Sequence, residues 1–301
     1  MSRIMICLAA ILFVLPAIIS CSAVESKIAV ISLNGPIMEG SQSSLFGGRV
    51  ITPESVRNDL LRARDDASVK AVVIQVDSPG GQVSACQEIV YELDQFKKPV
   101  VMSLRGIAAS GGYYISAKAN RILALPSTLT GSIGVISEIP NLKGLFDKIG
   151  IKIEVIKAGK YKDMFSGTRD FTPEEVQIMQ TITDESYEQF ISVVAEGRHM
   201  EKEKVRELAT GQLYTGAQAK ALGLVDELGG LQAAIDSAAK LAGIESPRVE
   251  YYQAESPGLL KLLFSLGDGK LGNLTGGGLM TAETIALMEF MEKPYPRFLY
   301  Q

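Results

Sequence analysis

The stretch "KAVVIQVDSPGGQVSACQEIVYELDQF", residues 70–96, contains the repeating unit on which the fold depends. Its first part, "KAVVIQVD", is a continuous apolar run of strand length, which is typical of strands buried on both faces of a parallel sheet. The glycine-rich turn "SPGG" follows, and "QVSACQEIVYELDQF" then has helical periodicity. The stretch therefore predicts a strand, a tight loop and a helix, which together begin a βαβ unit.

The same alternation extends in both directions along the chain. "KIAVISLNGPI" at 27–37 reads as a strand that ends at a turn signal, and "TPESVRNDLLRARDD" at 52–66 reads as a helix capped by Thr52. "KPVVMSL" and "NRILALP" continue the series as strands, and the longest predicted helix begins with a capping box at Thr172. Strands that alternate with helices predict an α/β fold with a mainly parallel sheet.

Composition excludes several function classes. The chain has 301 residues, 47% of them hydrophobic, with 34 acidic and 30 basic residues and a formal net charge of -4. No long Lys/Arg block is present, so nucleic acid is not an expected partner. The three cysteines, Cys7, Cys21 and Cys86, are too few and too scattered for a disulfide framework or a zinc site.

The N-terminus has the pattern of an export signal. Arg3 precedes the apolar run "IMICLAAILFVLPAII", and "IISC" resembles the bacterial lipobox, in which the cysteine carries the lipid. We predict a signal peptide at 1–20, a lipid anchor on Cys21 and a linker at 21–26; the run is also close to the length of an uncleaved membrane anchor. Either anchor places the rest of the chain at a membrane surface outside the cytoplasm.

Residues 27–245 form the predicted main domain, and residues 246–301 form a predicted C-terminal appendage. The appendage contains "SPGLLKLLFSL", a glycine-rich linker and a second apolar helix. Its role is left open between the substrate groove, a subunit contact and a membrane contact.

Two glycine pairs follow predicted strands, Gly80-Gly81 and Gly111-Gly112. Without side chains, these positions let a ligand approach backbone N–H groups, so each pair could supply half of an oxyanion hole. Ser110 directly precedes the second pair, in the position that acyl transfer requires of a nucleophile. The alternative is that Ser110 caps a helix and the glycines serve close packing.

A nucleophilic serine needs a base. His199 is the single histidine, and it lies among charged residues near the end of the long helix, where a solvated surface position is expected. A lysine can act as a base once its amine is neutral. Lys157, Lys160 and Lys162 are candidates, and spacing alone does not choose among them.

Five motifs follow one another over about residues 27–245: "DSPGG" at 77–81, "ASGGYYIS" at 109–116, "LTGSIGVI" at 129–136, "GKYKD" at 159–163 and "LYTGAQAKALGLVDELGG" at 213–230. Together, and in this order, they resemble the short, single-repeat form of the signal peptide peptidase A family.

This resemblance implies a ClpP/crotonase-like fold and a Ser-Lys dyad peptidase that degrades remnant signal peptides and other unfolded peptides. By the same resemblance, Ser110 is the nucleophile, Lys162 is the general base and Ser132 orients the lysine. Gly81 and Gly111 would supply the oxyanion amides. No metal or organic cofactor is required.

The short-form relatives assemble as rings in which the serine of one subunit meets the lysine of the next. The resemblance therefore implies a homo-oligomer, and it predicts that Ser110 and Lys162 lie beyond hydrogen-bond reach within one chain.

Two other function classes remain open. A crotonase-type acyl-CoA enzyme would use a similar oxyanion hole on thioesters. A non-catalytic lipoprotein would bind peptides or scaffold an envelope complex.

Overall fold

The computed structural model describes residues 25–40 and 49–252, together with the backbone of residues 298–300. The predicted signal peptide, Cys21 and most of the predicted appendage lie outside the described residues. Within the described ranges, no helix combines the length and the apolarity that crossing a membrane requires.

The described strands are, in chain order, β1 (Lys27–Asn34), β2 (Val69–Ser78), β3 (Gly81–Gln82), β4 (Val100–Ala109), β5 (Arg121–Ala124), β6 (Leu129–Gly131), β7 (Ile136–Ser137), β8 (Leu213–Thr215), β9 (Glu227–Leu228), β10 (Arg248–Tyr252) and β11 (Phe298–Tyr300). The main sheet has the order β10-β1-β2-β4-β5-β9, and all neighbours along this path are parallel. β6 pairs in parallel with β4 and antiparallel with β8. The predicted α/β fold with a mainly parallel sheet is confirmed.

The described helices are α1 (Pro53–Asp65), α2 (Val83–Gln95), α3 (Gly111–Ser116), α4 (Lys143–Ile149), α5 (Pro173–Arg198), α6 (Lys202–Leu208), α7 (Gly216–Ala221) and α8 (Leu231–Ala242). The predicted caps are confirmed, because Thr52 and Thr172 each form a capping box with the residue three positions later. His199 is exposed and ends α5 in the left-handed conformation, as expected for a surface position.

The sheet is covered on both faces, which explains the continuous apolar runs of its strands. On one face, side chains of alternate strand positions such as Ile28, Val30 and Val73 pack against α8. On the other face, Ala29, Ile31 and their counterparts in β2 and β4 belong to the larger core under α1, α2, α3 and α5. The serine segment therefore starts from a strand that is fixed from both sides.

Two parts of the predicted appendage are described. Residues 248–252 form β10, which pairs with β1 and so extends the main sheet. β11 lies in a separate three-stranded sheet, between β3 and β7 and antiparallel to both.

Residues 143–162 form a surface segment that we call the arm. It begins with α4, in which no residue is buried, and continues without regular secondary structure. Every residue from Asp147 to Lys160 is exposed. The arm thus contributes little to the core of its own chain.

Candidate active site

β4 runs directly into the serine segment. It is longer than the predicted strand and ends at Ala109, and α3 begins at Gly111, so Ser110 is the single residue between a buried strand and a helix. Ser110 has φ 53° and ψ −119°, and it is fully buried. A positive φ is costly for a residue with a Cβ, and such strain concentrates at functional sites.

The hydroxyl of Ser110 lacks a hydrogen-bond partner among the described residues. A buried polar atom without a partner costs folding free energy and needs an explanation in the chemistry of the site. The backbone around it is fixed, since the Ser110 amide donates to the carbonyl of Gly131 at 2.8 Å. The side chain is therefore held in place and remains available to another group.

The structure brings Gly81 and Gly111 together beside Ser110. A Cβ built on Gly111 would lie 3.0 Å from the Gly81 nitrogen and 2.6 Å from the Sγ of Cys86. A Cβ on Gly81 would lie 1.9 Å from the carbonyl oxygen of Ile37. No side chain fits at either position, so both backbones are bare for a steric reason.

Ser132 occupies the neighbouring strand end. Ala109 pairs with Gly131 in the parallel register of β4 and β6, so Ser110 and Ser132 each follow directly after a paired residue. Ser132 has φ 49°, and its amide donates to the carbonyl of Gln212 at 2.8 Å. Among the described residues other than glycine, only Ser110, Ser132 and His199 have positive φ. Two of the three are predicted site residues.

A cavity of about 430 Å³ lies beside these residues. Its lining is mainly apolar and comprises Pro36, Ile37, Met38, Pro79, Gly80, Gly81, Gln82, Ile107, Ala109, Ser132 and Leu213. A concave apolar site with a few polar groups at its edge is the usual form of a binding pocket. The cavity can hold an apolar side chain next to the serine turn.

An extended segment of the chain already lies next to Gly81. β11 pairs antiparallel with β3 through Tyr300 and Gly81, and with β7 through Phe298 and Ser137. Both of its edges are therefore occupied by short strands of the main domain. The space between β3 and β7 thus holds a backbone in the β conformation.

Lys162 lies at the C-terminal end of the arm. Its amide donates to the carbonyl of Gly159 at 3.3 Å, and its side chain is exposed. The other two candidate lysines are occupied: Lys157 pairs with Asp163 at 2.6 Å, and Lys160 pairs with Glu174. In the described part of the chain, Lys162 alone of the three has an ammonium group without a hydrogen-bond or ion-pair partner.

Ser110 and Lys162 are not joined by a hydrogen bond in the single chain. The sharing of the pair between neighbouring subunits stays a prediction. Within the described ranges there is also no cluster of three or more His, Cys, Asp or Glu side chains suited to a metal ion.

Sequence reasoning missed the role of Asp77 in the local structure. Val76 pairs with Leu104 and Ser78 pairs with Ala108, so β4 advances by four residues while β2 advances by two, which is a β-bulge-like irregularity in β4. Asp77 accepts a hydrogen bond from the amide of Ile107 at 3.1 Å, within this irregularity. The residue lies in the "DSPGG" motif, and a polar side chain at the end of a buried strand was the available signal.

Cys86 is a second residue that the sequence left without a role. It lies on α2, fully buried, with its Sγ directly beneath Gly111. Burial raises the pKa of its thiol well above the ordinary range, so the sulfur is an inert packing group under the serine turn.

Comparison with known proteins agrees with the family resemblance of the sequence motifs. A model of peptidase family S49 matches residues 92–245, and a model of Clp protease matches residues 50–130. A Synechocystis protein named as a candidate protease is 38% identical over 283 residues, which are 93% of this chain and 98% of that protein.

Two further relatives have more specific names. An Enterococcus faecium protein named as a candidate signal peptide peptidase SppA is 35% identical over 285 residues, or 92% of this chain and 82% of that protein. Protease 4 of Salmonella typhi is 42% identical over 231 residues, or 76% of this chain and 37% of that protein. The predicted resemblance and the ClpP-like fold are confirmed. The chain belongs to peptidase family S49.

Proposed function

We propose that this peptidase is a serine endopeptidase in which Ser110 is the nucleophile and Lys162 is the general base. The observation that carries the proposal is the Ser110 hydroxyl, which is buried, without a partner among the described residues, and held at a strained turn between bare glycine backbones. A structural capping serine would use its hydroxyl, whereas α3 has no side-chain cap hydrogen bond.

The mechanism follows from these groups. The neutral amine of Lys162 removes the Ser110 proton as Oγ attacks the peptide carbonyl, and the amides of Gly81 and Gly111 stabilise the oxyanion. The C–N bond then breaks, the proton passes from Lys162 to the leaving amine, and an acyl-enzyme remains. Lys162 next takes a proton from water as the water attacks the ester, and it returns that proton to Oγ as the C–Oγ bond breaks, which releases the second product and regenerates Ser110 and the neutral amine. Ser132 orients the lysine.

We also propose that the dyad forms between neighbouring subunits of a homo-oligomer. Two features support this: Ser110 is buried without a partner, and Lys162 ends an exposed arm. The arm carries aliphatic side chains that are about half exposed or more, including Leu145, Ile149 and Ile156. Several exposed aliphatic side chains on one surface segment are typical of a surface that a partner covers.

The substrates we propose are unfolded peptides, remnant signal peptides among them. The position of β11 supports binding as an added strand between β3 and β7, with main-chain hydrogen bonds that do not depend on sequence. The apolar cavity next to Ser132 favours substrates with aliphatic side chains. Membrane attachment through Cys21, at a membrane surface outside the cytoplasm, completes the proposal.

Fluorophosphonate labelling tests the nucleophile. A fluorophosphonate phosphonylates only activated serines, so we expect one label per chain, located at Ser110 by peptide mapping and lost in Ser110→Ala. Ser127→Ala, at an exposed serine, is the matched control and retains the label. Absence of any label from protein that cleaves a peptide substrate would refute the assignment.

Mixing two inactive variants tests the shared dyad. Ser110→Ala and Lys162→Met should each be inactive alone, because dyad members act as one unit. Subunit exchange between them creates sites with an intact serine from one chain and an intact lysine from the other, so activity reappears. Mixed oligomers that stay inactive would show that each chain supplies both groups.

A further inference from the structure

Asp163, the chain neighbour of the proposed base, belongs to an ion-pair network. The guanidinium of Arg169 binds Asp163 with two hydrogen bonds, of 2.9 Å from Nε to Oδ2 and 2.8 Å from Nη2 to Oδ1. The same guanidinium binds Glu175 with two more, of 2.8 Å from Nη1 to Oε2 and 2.5 Å from Nη2 to Oε1. Arg169 therefore ties the residue next to Lys162 to the first turn of α5.

The far end of the network is fixed. Glu175 is 2% exposed, and it also accepts the amide of Thr172 at 2.9 Å as part of the capping box of α5. The hydrogen bonds from Arg169, together with the Thr172 amide, lower the pKa of Glu175 to about 2. The helix thus presents a permanent carboxylate that holds the guanidinium in place.

Asp163 forms the end of the network that is next to Lys162 in the chain. Its side chain is 8% exposed, and the cationic groups that face it are Arg169 and, at 2.6 Å, Lys157. These two cations lower the pKa of the Asp163 carboxyl far below its ordinary range. Asp163 is therefore charged and fully engaged, although it is the chain neighbour of Lys162.

We propose that Arg169 is a positioning residue for the base, which holds the Asp163 carboxylate toward α5 and thereby keeps it from pairing with Lys162. The inference rests on the proposed function, in which Lys162 must be uncharged to accept the Ser110 proton. A carboxylate close to an amine favours the ammonium form. An ammonium group cannot act as a base, so a misdirected Asp163 would inhibit the enzyme.

The test is the pH dependence of kcat/KM in four proteins: wild type, Arg169→Gln, Asp163→Asn and the double variant. In Arg169→Gln the Asp163 carboxylate keeps only Lys157 and loses its tie to α5, so it can also pair with Lys162, and we expect the acidic limb of the profile to move up by about one pH unit. The rate of Ser110 phosphonylation by a fluorophosphonate, which requires no peptide binding, should shift in the same way. The shift should appear in kcat more than in KM.

The double variant separates this role from a merely structural one. The double variant lacks the Asp163 charge, so it should return the acidic limb to its wild-type position. Arg206→Gln is the matched control, because Arg206 also binds a carboxylate of α5, Glu188, through two nitrogens. We expect Arg206→Gln to leave the profile unchanged.

Two results would overturn the inference: an Arg169→Gln profile that coincides with wild type, or a shift that persists in the double variant. If Arg169→Gln does not fold because Glu175 is left buried and unpaired, Arg169→Gln combined with Glu175→Gln replaces it, since that pair of changes removes the stranded charge and keeps an acceptor for the Thr172 amide. It should give the same shift, which Asp163→Asn reverses; no shift would overturn the inference. Full turnover by Lys162→Met would instead refute the proposed function.

Discussion

The amide of Ser110 donates a 2.8 Å hydrogen bond to the carbonyl oxygen of Gly131, so the backbone of the proposed nucleophile is fixed by the strand that leads to Ser132. Gly131 has φ 78°, and a Cβ at this position would lie 2.5 Å from Cδ2 of Tyr214. Glycine is therefore required here by both the backbone conformation and the space available. One glycine thus controls the relative placement of the two serines.

We expect Gly131→Ala to lower both stability and activity. The positive φ and the contact with the Tyr214 ring should cost about 2 kcal/mol of unfolding free energy. Displacement of Ser110 should lower the fluorophosphonate labelling rate by about 100-fold. Chemical denaturation and labelling kinetics measure the two effects. Gly223→Ala is the control, because Gly223 also has positive φ but nothing lies within 4 Å of a Cβ there, so labelling should not change; equal effects of the two substitutions would contradict the account.

Ser110→Ala should abolish turnover without loss of stability. The substitution removes a buried hydroxyl that lacks a partner among the described residues, so the free energy of unfolding should stay the same or rise by about 1 kcal/mol. Ser110→Gly should be more stable still, since glycine tolerates φ 53°. Urea denaturation measures both. A loss of more than about 1 kcal/mol in Ser110→Ala would mean that the hydroxyl has a structural partner.

Asp77 should contribute to stability through its acceptor oxygen and not through its charge. Asp77→Ala leaves the amide of Ile107 without this partner, at an expected cost of about 1–3 kcal/mol. Asp77→Asn keeps an oxygen in the same place and should recover most of that loss. Thermal and urea unfolding compare the two variants; equal destabilisation by Ala and Asn would show that the charge is what matters.

Stability should fall in acid because of Glu175. Its folded-state pKa, lowered from 4.5 to about 2 mainly by the hydrogen bonds of Arg169, means that the folded protein binds its proton less readily than the unfolded chain does. This contribution is complete above pH 4.5 and is lost as the pH falls towards 2. The unfolding free energy, measured across that range, should decline less steeply in Glu175→Gln. Identical slopes would contradict the assignment.

The fold was largely predictable because it depends on local patterns. The apolar run of 70–77 and the caps at Thr52 and Thr172 each determine an element from neighbouring residues alone. The boundaries were less predictable: β4 continues to Ala109 because it pairs with β6, a contact that lies far along the chain.

The candidate site was predictable in its residue types but not in its geometry. The glycine pairs indicated backbone without side chains. The groups that exclude a side chain, Cys86 at Gly111 and the Ile37 carbonyl at Gly81, come close only through tertiary packing. Spacing did not choose among the three lysines, and the family resemblance pointed to Lys162; the structure adds that Lys157 and Lys160 are engaged in ion pairs. No sequence pattern indicated a role for Arg169. Its two carboxylate partners lie on opposite sides of it in the chain, and only the fold brings all three side chains together.

The central claim is that Lys162 deprotonates Ser110, and peptide turnover by Lys162→Met tests it most directly, with Lys160→Met as the matched control. Methionine keeps most of the side chain's volume without the amine. The account predicts that Lys162→Met retains less than about 1% of wild-type turnover while folding normally, and that Lys160→Met stays within about threefold of wild type. Full proteolysis by Lys162→Met would contradict it.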